Sequence, residues 1–218
     1  MFKNRAEAGQ LLANRLAEYG DEAVVVLALP RGGVPVAAEI ATALHAPLGL
    51  MLVRKVGLPG QPELALAAIA GPEGADLVVN REVAEISGLG ADAIERLAAL
   101  QRPELLRRAQ TYLAGRRPPA LQGKTVILVD DGIATGATVR AAVRALRRAA
   151  PARIVLAVPV APADALAELQ GAVDAVVCLT PRRFLGSVGA HYANFSQVDD
   201  GEVIACLDAA ADRGQADA

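Results

Sequence analysis

The sequence predicts an α/β fold: a mostly parallel sheet flanked by helices, with a small C-terminal hood. Two observations carry this reading. Short apolar runs at residues 23–29, 48–53, 126–129, 154–160 and 175–179 alternate with segments of helical periodicity. Those runs are apolar throughout rather than at every second position, as strands covered on both faces require. At 218 residues, 53% of them hydrophobic, the chain suits one domain with appendages and can bury a substantial core.

The elements follow in order. Residues 5–18 read as a helix with Leu11, Leu12 and Leu16 on one face, stopped near Gly20. The run 23–29 is a buried strand, broken by Pro30-Arg31-Gly32-Gly33, after which residues 34–44 resume as a helix. A second buried strand over 48–53 ends in Arg54-Lys55. Residues 57–63, with two prolines and two glycines, are expected to form a loop, and 64–70 with 76–80 a short hairpin around Gly71-Pro72-Glu73-Gly74. Residues 91–113 read as one long charged helix, with Pro103 as the place for a bend. Strand 126–129 leads to helix 139–146, strand 154–160 to helix 163–169, and 175–179 is the last strand. Past Pro181 the chain is irregular and aromatic until a closing helix over 200–211. The expected organisation is a core over 1–180 with a mobile loop or hairpin near 56–80, a hood and closing helix over 181–211, and a frayed tail over 212–218.

Composition excludes several classes. Aromatics are 3% and tryptophan is absent, so a base-stacking nucleic-acid surface is not expected. A net charge of −2 steers the chain to neither nucleic acid nor anionic membrane. No window of about 18 apolar residues occurs, and Met1-Phe2-Lys3-Asn4-Arg5 is not followed by the apolar core of a signal peptide, so a soluble cytoplasmic protein is expected. Cys178 and Cys206 have no metal-ligand spacing and read as core thiols.

The most informative stretch is Val126-Ile127-Leu128-Val129-Asp130-Asp131-Gly132-Ile133-Ala134-Thr135-Gly136-Ala137-Thr138. A buried strand ends in two carboxylates, then a small-residue loop opens a helix. Outward N–H groups, the helix dipole and small side chains suit such a loop to an anion. The carboxylates, at what reads as an exposed strand end, repel phosphate and instead accept hydrogen bonds from hydroxyls or help hold a metal. Phosphate beside diol describes a phosphorylated ribose. Arg31 adds a planar fork suited to phosphate oxygens, and the glycines beside it are read as permitting unusual backbone angles. Arg31, Lys55 and Asp130–Asp131 all follow predicted strands, so all can meet at the carboxyl edge where open sheets bind ligands.

This stretch resembles the 5-phosphoribosyl-1-pyrophosphate (PRPP) signature of the type I phosphoribosyltransferases, and neither a Gly-x-x-x-x-Gly-Lys-Ser/Thr loop nor a Gly-x-Gly-x-x-Gly loop competes with it. The resemblance implies that fold, and a PRPP-dependent pentosyltransferase of nucleotide metabolism using Mg²⁺. It implies that Ala134, Thr135, Gly136, Ala137 and Thr138 hold the 5-phosphate. Asp130 and Asp131 would bind ribose and place Mg²⁺ through water or PRPP, and Arg31, Gly32, Gly33 and Lys55 would bind pyrophosphate. Together Asp130, Asp131, Arg31 and Lys55 form the implied catalytic set. Residues 57–63 fall where the family carries a loop that closes over the reacting carbon.

Residues 5–205 are also similar to a bacterial group of phosphoribosyltransferase-like proteins. The shared features are Leu29-Pro30-Arg31-Gly32-Gly33, the loop Lys55-Val56-Gly57-Leu58-Pro59-Gly60-Gln61-Pro62-Glu63, the signature strand and the aromatic tail around Val188-Gly189. Partners implied are PRPP and a small-molecule acceptor, without nucleic acid or membrane, and a homodimer is an allowed assembly. Ala134 stands where hypoxanthine/guanine enzymes carry an aspartate, which leaves the acceptor open. A PRPP- or nucleotide-binding regulator without turnover is the alternative. In the hood, Phe184, Tyr192 and Phe195 are base-side candidates, with a small satellite core as the competing reading. His191 has no metal partner at useful spacing.

Overall fold

The alternation read from the sequence is present in the computed structural model, which describes residues 1–71, 74 and 76–216. In chain order the first elements are α1 (Arg5–Arg15), β1 (Val24–Ala28), α2 (Gly33–Ala43), β2 (Leu48–Leu50), β3 (Val53–Leu58), β4 (Gln61–Ala70) and β5 (Asp76–Val79). Then come α3 (Arg81–Ser87), α4 (Ala91–Ala99), α5 (Arg102–Leu113), β6 (Thr125–Val129), α6 (Ala137–Arg148), β7 (Arg153–Pro162), α7 (Ala163–Gln170), β8 (Ala175–Arg182) and α8 (Asp200–Ala216). They gather into two units. Met1–Leu50, Pro118–Ala134 and Ala149–Ala218 form the first, Met51–Arg117 and Thr135–Arg148 the second.

The first unit is a five-stranded sheet in the order β2-β1-β6-β7-β8, parallel at every pairing and flanked by helices. Every residue of β1 and β6 is buried, which is why their sequences are apolar at nearly every position. In the β1–β6 register Ala28 lies opposite Val129, so the loops after these two strands start side by side. Helix α2 packs on β1 and on α1, and α7 on β7 and β8. Helix α8 runs through Ala216, past the Asp212 where a tail is expected; Asp217 and Ala218 lie outside the described residues.

The second unit corrects several expectations. The apolar run 48–53 is two strands: β2 stops at Leu50, and β3 begins at Val53 in an antiparallel sheet of order β3-β4-β5. Nothing polar marks the break, so periodicity could not find it. Lys55 is therefore not at a strand end but midway along β3, opposite Ala68. Residues 57–63 are not an open loop either. They form the tip of the β3–β4 hairpin, with Gly60 in the left-handed region at φ 83. The register shifts at Gly57, where a Cβ would lie 2.6 Å from the Pro62 carbonyl oxygen. That irregularity accommodates a proline in a strand. The expected β4–β5 hairpin is present; Pro72 and Glu73 of its turn lie outside the described residues.

The long helix 91–113 is two helices, broken at Leu100–Gln101. Pro103 sits in the first turn of α5, where the missing N–H has no helical acceptor to lose. Helix α3 has no counterpart among the elements expected from the sequence. Helix α6 packs on β3, β4 and β5. Among the described residues no helix is long and apolar enough to cross a membrane.

Candidate active site

Strand order places the candidate site. From β1 the chain moves to β2 on one side, while β6 pairs on the other, so β1 and β6 flank the point where sheet order reverses. Ligands of open α/β sheets bind in the crevice at the carboxyl ends of such a pair. After β1 comes Leu29 to Gly33; after β6 come Asp130 and Asp131. The Pro30–Arg31 peptide bond is cis. Gly32, the cap before α2, has φ −59, an ordinary helical angle, and Gly33 has no positive φ either, so the glycines are not needed for unusual backbone conformations. Close approach requires them. A Cβ on Gly32 would fall 2.0 Å from Asp131 Oδ2, and one on Gly33 would fall 2.7 Å from the Val129 carbonyl oxygen and 3.0 Å from Asp130 Cα. The loop of β1 thus lies directly against the acidic pair.

The two carboxylates differ in their surroundings. Asp131 donates its backbone N–H to Asp130 Oδ1 at 2.9 Å. Its own carboxylate is not at an exposed strand end: Arg5 Nε donates to Oδ2 at 2.8 Å, and the two side chains are only 11% and 14% exposed. The Tyr192 hydroxyl donates to the Asp131 carbonyl at 2.6 Å. Burial pushes the Asp130 carboxyl well above the ordinary carboxylate range, and repulsion from Asp131 adds to it. Burial also raises Asp131, but the Arg5 hydrogen bond and charge oppose the rise. Burial likewise lifts the Tyr192 phenol, which keeps it a hydrogen-bond donor.

Arg5 is the site residue that sequence reasoning missed, and local geometry explains how it arrives. Phe2 N–H donates to the His191 carbonyl at 2.8 Å, while Ala193 and Asn194 N–H groups donate to the Phe2 and Lys3 carbonyls at 2.7 and 2.9 Å. Asn4 then caps α1, its side chain accepting from Glu7 N–H at 2.9 Å, which makes Arg5 the first helical residue. The only sequence signals were a cap-competent Asn and an isolated Arg.

The hood aromatics are a small core around this seam. Tyr192 is 5% exposed and lies 5.4 Å from the Phe2 ring and 5.0 Å from the Phe195 ring. The Arg5 guanidinium lies 3.9 Å over Phe195 and donates through Nη1 to the Ser196 carbonyl at 2.8 Å. Val188 presses on the acidic loop, where a Cβ on Gly132 would meet it at 2.5 Å. Tyr192 and Phe195 therefore spend ring faces on protein, whereas Phe184 is 85% exposed. His191 Nε2 lies 3.2 Å from the Leu185 carbonyl, within the hood.

The remaining predicted residues fall as follows. Arg31 Nη1 lies 3.5 Å from Asp200 Oδ1 at the start of α8. Ala134 closes the first unit's segment, and Thr135 to Thr138 open the second unit's. Gly136 takes φ 72, turning the chain into α6, and Thr135 Oγ1 accepts from Ala137 N–H at 3.4 Å. The first helical bond runs from Arg140 N–H to the Gly136 carbonyl, so earlier amides lack helical acceptors. Ala134, Thr135 and Thr138 are exposed. Lys55 belongs to the second unit. Cys178 and Cys206 are half-buried thiols pushed up by burial and poorly suited to nucleophilic chemistry.

Among the described residues no cluster of three metal-ligating side chains occurs. Two adjacent carboxylates fit Mg²⁺ only in the mode where waters and ligand phosphates supply its other oxygens. Asp130 and Asp131 would be the residues involved.

Similarity to known proteins points to one family. A family model described as "Phosphoribosyl transferase domain" matches residues 2–192. A Mycobacterium tuberculosis protein named "Putative phosphoribosyl transferase" is 47% identical over 210 residues, 96% of this chain and 47% of that protein, so the chain spans about half the length of the curated relatives it matches. The crystal structure of TT1426 from Thermus thermophilus superposes with TM-score 0.88 at 44% identity, covering 95% of this chain and 97% of the other. The structure of AQ2163 from Aquifex aeolicus, 12% identical with TM-score 0.52 over 93% of this chain and 86% of that one, shares the fold.

The buried acidic pair makes a prediction about stability. A carboxyl raised in the folded state favours folding below its unfolded value near 3.9, and that contribution is lost as pH rises through the folded value. The Asp130→Asn amide keeps the shape and the acceptor for Asp131 N–H while removing the charge. Its melting temperature is expected to exceed that of the native protein at pH 8, with the difference shrinking toward pH 4. Each unit of upward shift is worth about 1.4 kcal/mol. Calorimetric melting against pH checks this, and a variant less stable than the native protein at pH 8 would contradict it.

Proposed function

The chain belongs to the phosphoribosyl transferase family, and from that premise we propose that it transfers 5-phosphoribose from PRPP to a nitrogenous acceptor, a nucleobase, with release of pyrophosphate. One observation carries the reading: the acidic pair sits at the sheet's reversal point against the Arg31 loop, and the chain runs on from it directly into Ala134 to Thr138. Amides of that loop, with the Thr135 and Thr138 hydroxyls, would hold the 5-phosphate. Asp130 and Asp131 would accept hydrogen bonds from the ribose diol. Arg31 and the Gly32–Gly33 backbone would gather pyrophosphate. In this family Mg²⁺ binds with PRPP and would neutralise developing charge on the leaving group.

The residues' own task is electrostatic. As the C1–oxygen bond breaks, positive charge grows on the ribose ring and negative charge on pyrophosphate. The acidic pair would face the first charge and Arg31 the second. The Ala134 side chain offers no proton donor or acceptor, so the acceptor's proton would leave to a base at another position or to water. Phe184, exposed at the surface with the Arg183 guanidinium 5.6 Å over its ring, is the hood aromatic that would have to exchange that contact to stack on the nucleobase. We infer that the protein acts in the cytoplasm.

A second reading is supported by Ala134 and by the occupied faces of Tyr192 and Phe195: a protein that binds PRPP or a nucleotide without turnover. Calorimetry with PRPP and Mg²⁺, followed by pyrophosphate release across a panel of bases, separates the two. The proposal expects PRPP binding below millimolar concentration and release with at least one base. Binding without release by any base would favour the regulator, and folded protein that binds no PRPP would contradict both.

Arg31 supplies a sharper prediction because its guanidinium already faces Asp200. Arg31→Lys keeps the charge but loses the fork, and should weaken PRPP and pyrophosphate about tenfold while leaving a nucleoside 5-monophosphate unchanged. Asp200→Asn removes a partly exposed competing carboxylate and should tighten pyrophosphate by roughly two- to fivefold. Titration of both variants with all three ligands decides it, and equal losses for every ligand would refute the assignment.

A further inference from the structure

Arg5 has a place in the molecule that neither phosphate nor sugar binding accounts for. It comes from the first turn of α1, yet its Nε reaches a carboxylate at the end of β6, 126 residues further along the chain. Its own position is fixed on the remaining sides. The Phe195 ring centroid lies 3.9 Å from the guanidinium carbon, the Ser196 carbonyl takes Nη1, and the Asn4 cap and the Phe2–His191 seam set where α1 begins. Two of its three nitrogens are thus committed to protein acceptors. Its partner is the opposite case. Asp131 Oδ2 is directed at Arg5 and lies where any side chain on Gly32 would strike it, so one carboxylate oxygen is fixed between the two. The Tyr192 hydroxyl fixes the peptide of the same residue from the hood side.

We propose that Arg5 is a positioning residue: held by Phe195 and Ser196, it sets the direction of the Asp131 carboxylate and so prepares the acidic pair to receive a ribose diol. The role rests on the phosphoribosyl transfer proposed above. Arg5 acts through Asp131 and touches no reacting atom. The guanidinium matters for two reasons, since its Nε reaches Oδ2 at 2.8 Å while its central carbon stays 3.9 Å from the Phe195 ring centroid. An ammonium cannot do both. The seam between Phe2 and the hood becomes part of the site's construction, because it fixes the helix start that delivers Arg5.

The test uses the full chain and four forms: native, Arg5→Met, Asp131→Asn and the double variant, with Arg5→Lys added in case Arg5→Met folds poorly. Each is titrated with ribose 5-phosphate, PRPP with Mg²⁺, and inorganic pyrophosphate. Losing the orientation of one charged acceptor should weaken ribose 5-phosphate and PRPP by about tenfold in Arg5→Met, leave pyrophosphate within about twofold, and cost less in Arg5→Lys. Acting through Asp131, the two substitutions should not add, so the double variant should bind ribose 5-phosphate no worse than the weaker single one. Additive losses would overturn the proposal, as would equal losses for pyrophosphate. A crystal structure of Arg5→Met without ligand reads the same claim apart from turnover. The Asp131 carboxylate should leave its place against Gly32, and an unmoved carboxylate would overturn the proposal. Native protein that binds no PRPP would instead overturn the proposed function, and the crystallographic arm would still decide whether Arg5 sets Asp131.

Discussion

Two adjacent carboxylates at the buried end of a central strand repel one another, and the ion pair between Arg5 and Asp131 makes the arrangement tenable. Desolvating two like charges side by side costs several kcal/mol unless a counter-charge or a proton intervenes. Arg5 supplies the counter-charge at 2.8 Å for one of them. For Asp130 the structure offers a backbone N–H, and burial raises its carboxyl accordingly. The pair is therefore chemically unequal although its two members are neighbours of the same type. One is pinned beside a cation; the other is held close to where a proton or a ligand must relieve it. On the proposed reading, a ribose diol or a hydrated cation would be the group that relieves the repulsion between them.

The surrounding structure follows from holding that pair in place. The parallel register sets Ala28 beside Val129, which brings the Arg31 loop alongside. Glycines at 32 and 33 let that loop press against Asp131 and the β6 backbone. The hood contributes through Val188 and through Tyr192, whose phenol remains a donor because burial disfavours its ionisation. Aromatic residues are scarce in this chain, and Phe2, Tyr192 and Phe195 are gathered at one seam. They pack on one another there, and Phe195 also lies against the Arg5 guanidinium.

Much of this was legible in the residues. Fully apolar runs identified the parallel strands, because burial on both faces leaves no polar position to alternate with. The stretch from Val126 to Thr138 announced a buried strand, two carboxylates at its end and a loop opening a helix, because these are contiguous and local spacing survives folding. Three things were not legible for physical reasons. The break between β2 and β3 falls in an uninterrupted apolar run, where composition is the same on both sides. The purpose of Gly32 and Gly33 is a tertiary contact rather than a backbone angle, and a sequence does not show what a missing Cβ would have struck. Arg5 meets Asp131 across 126 residues, and one arginine near a helix start resembles any solvated one. Pro62 misled in the other direction: read as a loop marker, it sits in a strand whose register shift absorbs it.

On the proposed reading Asp130 and Asp131 receive the diol of a phosphorylated ribose. A crystal structure of the native protein soaked with ribose 5-phosphate tests this most directly. The account predicts the phosphate against the amides of residues 134–138, with the diol hydroxyls within hydrogen-bond distance of Asp130 and Asp131 and the Arg5–Asp131 contact intact. A phosphate bound elsewhere, or a sugar whose diol faces away from both carboxylates, would contradict it.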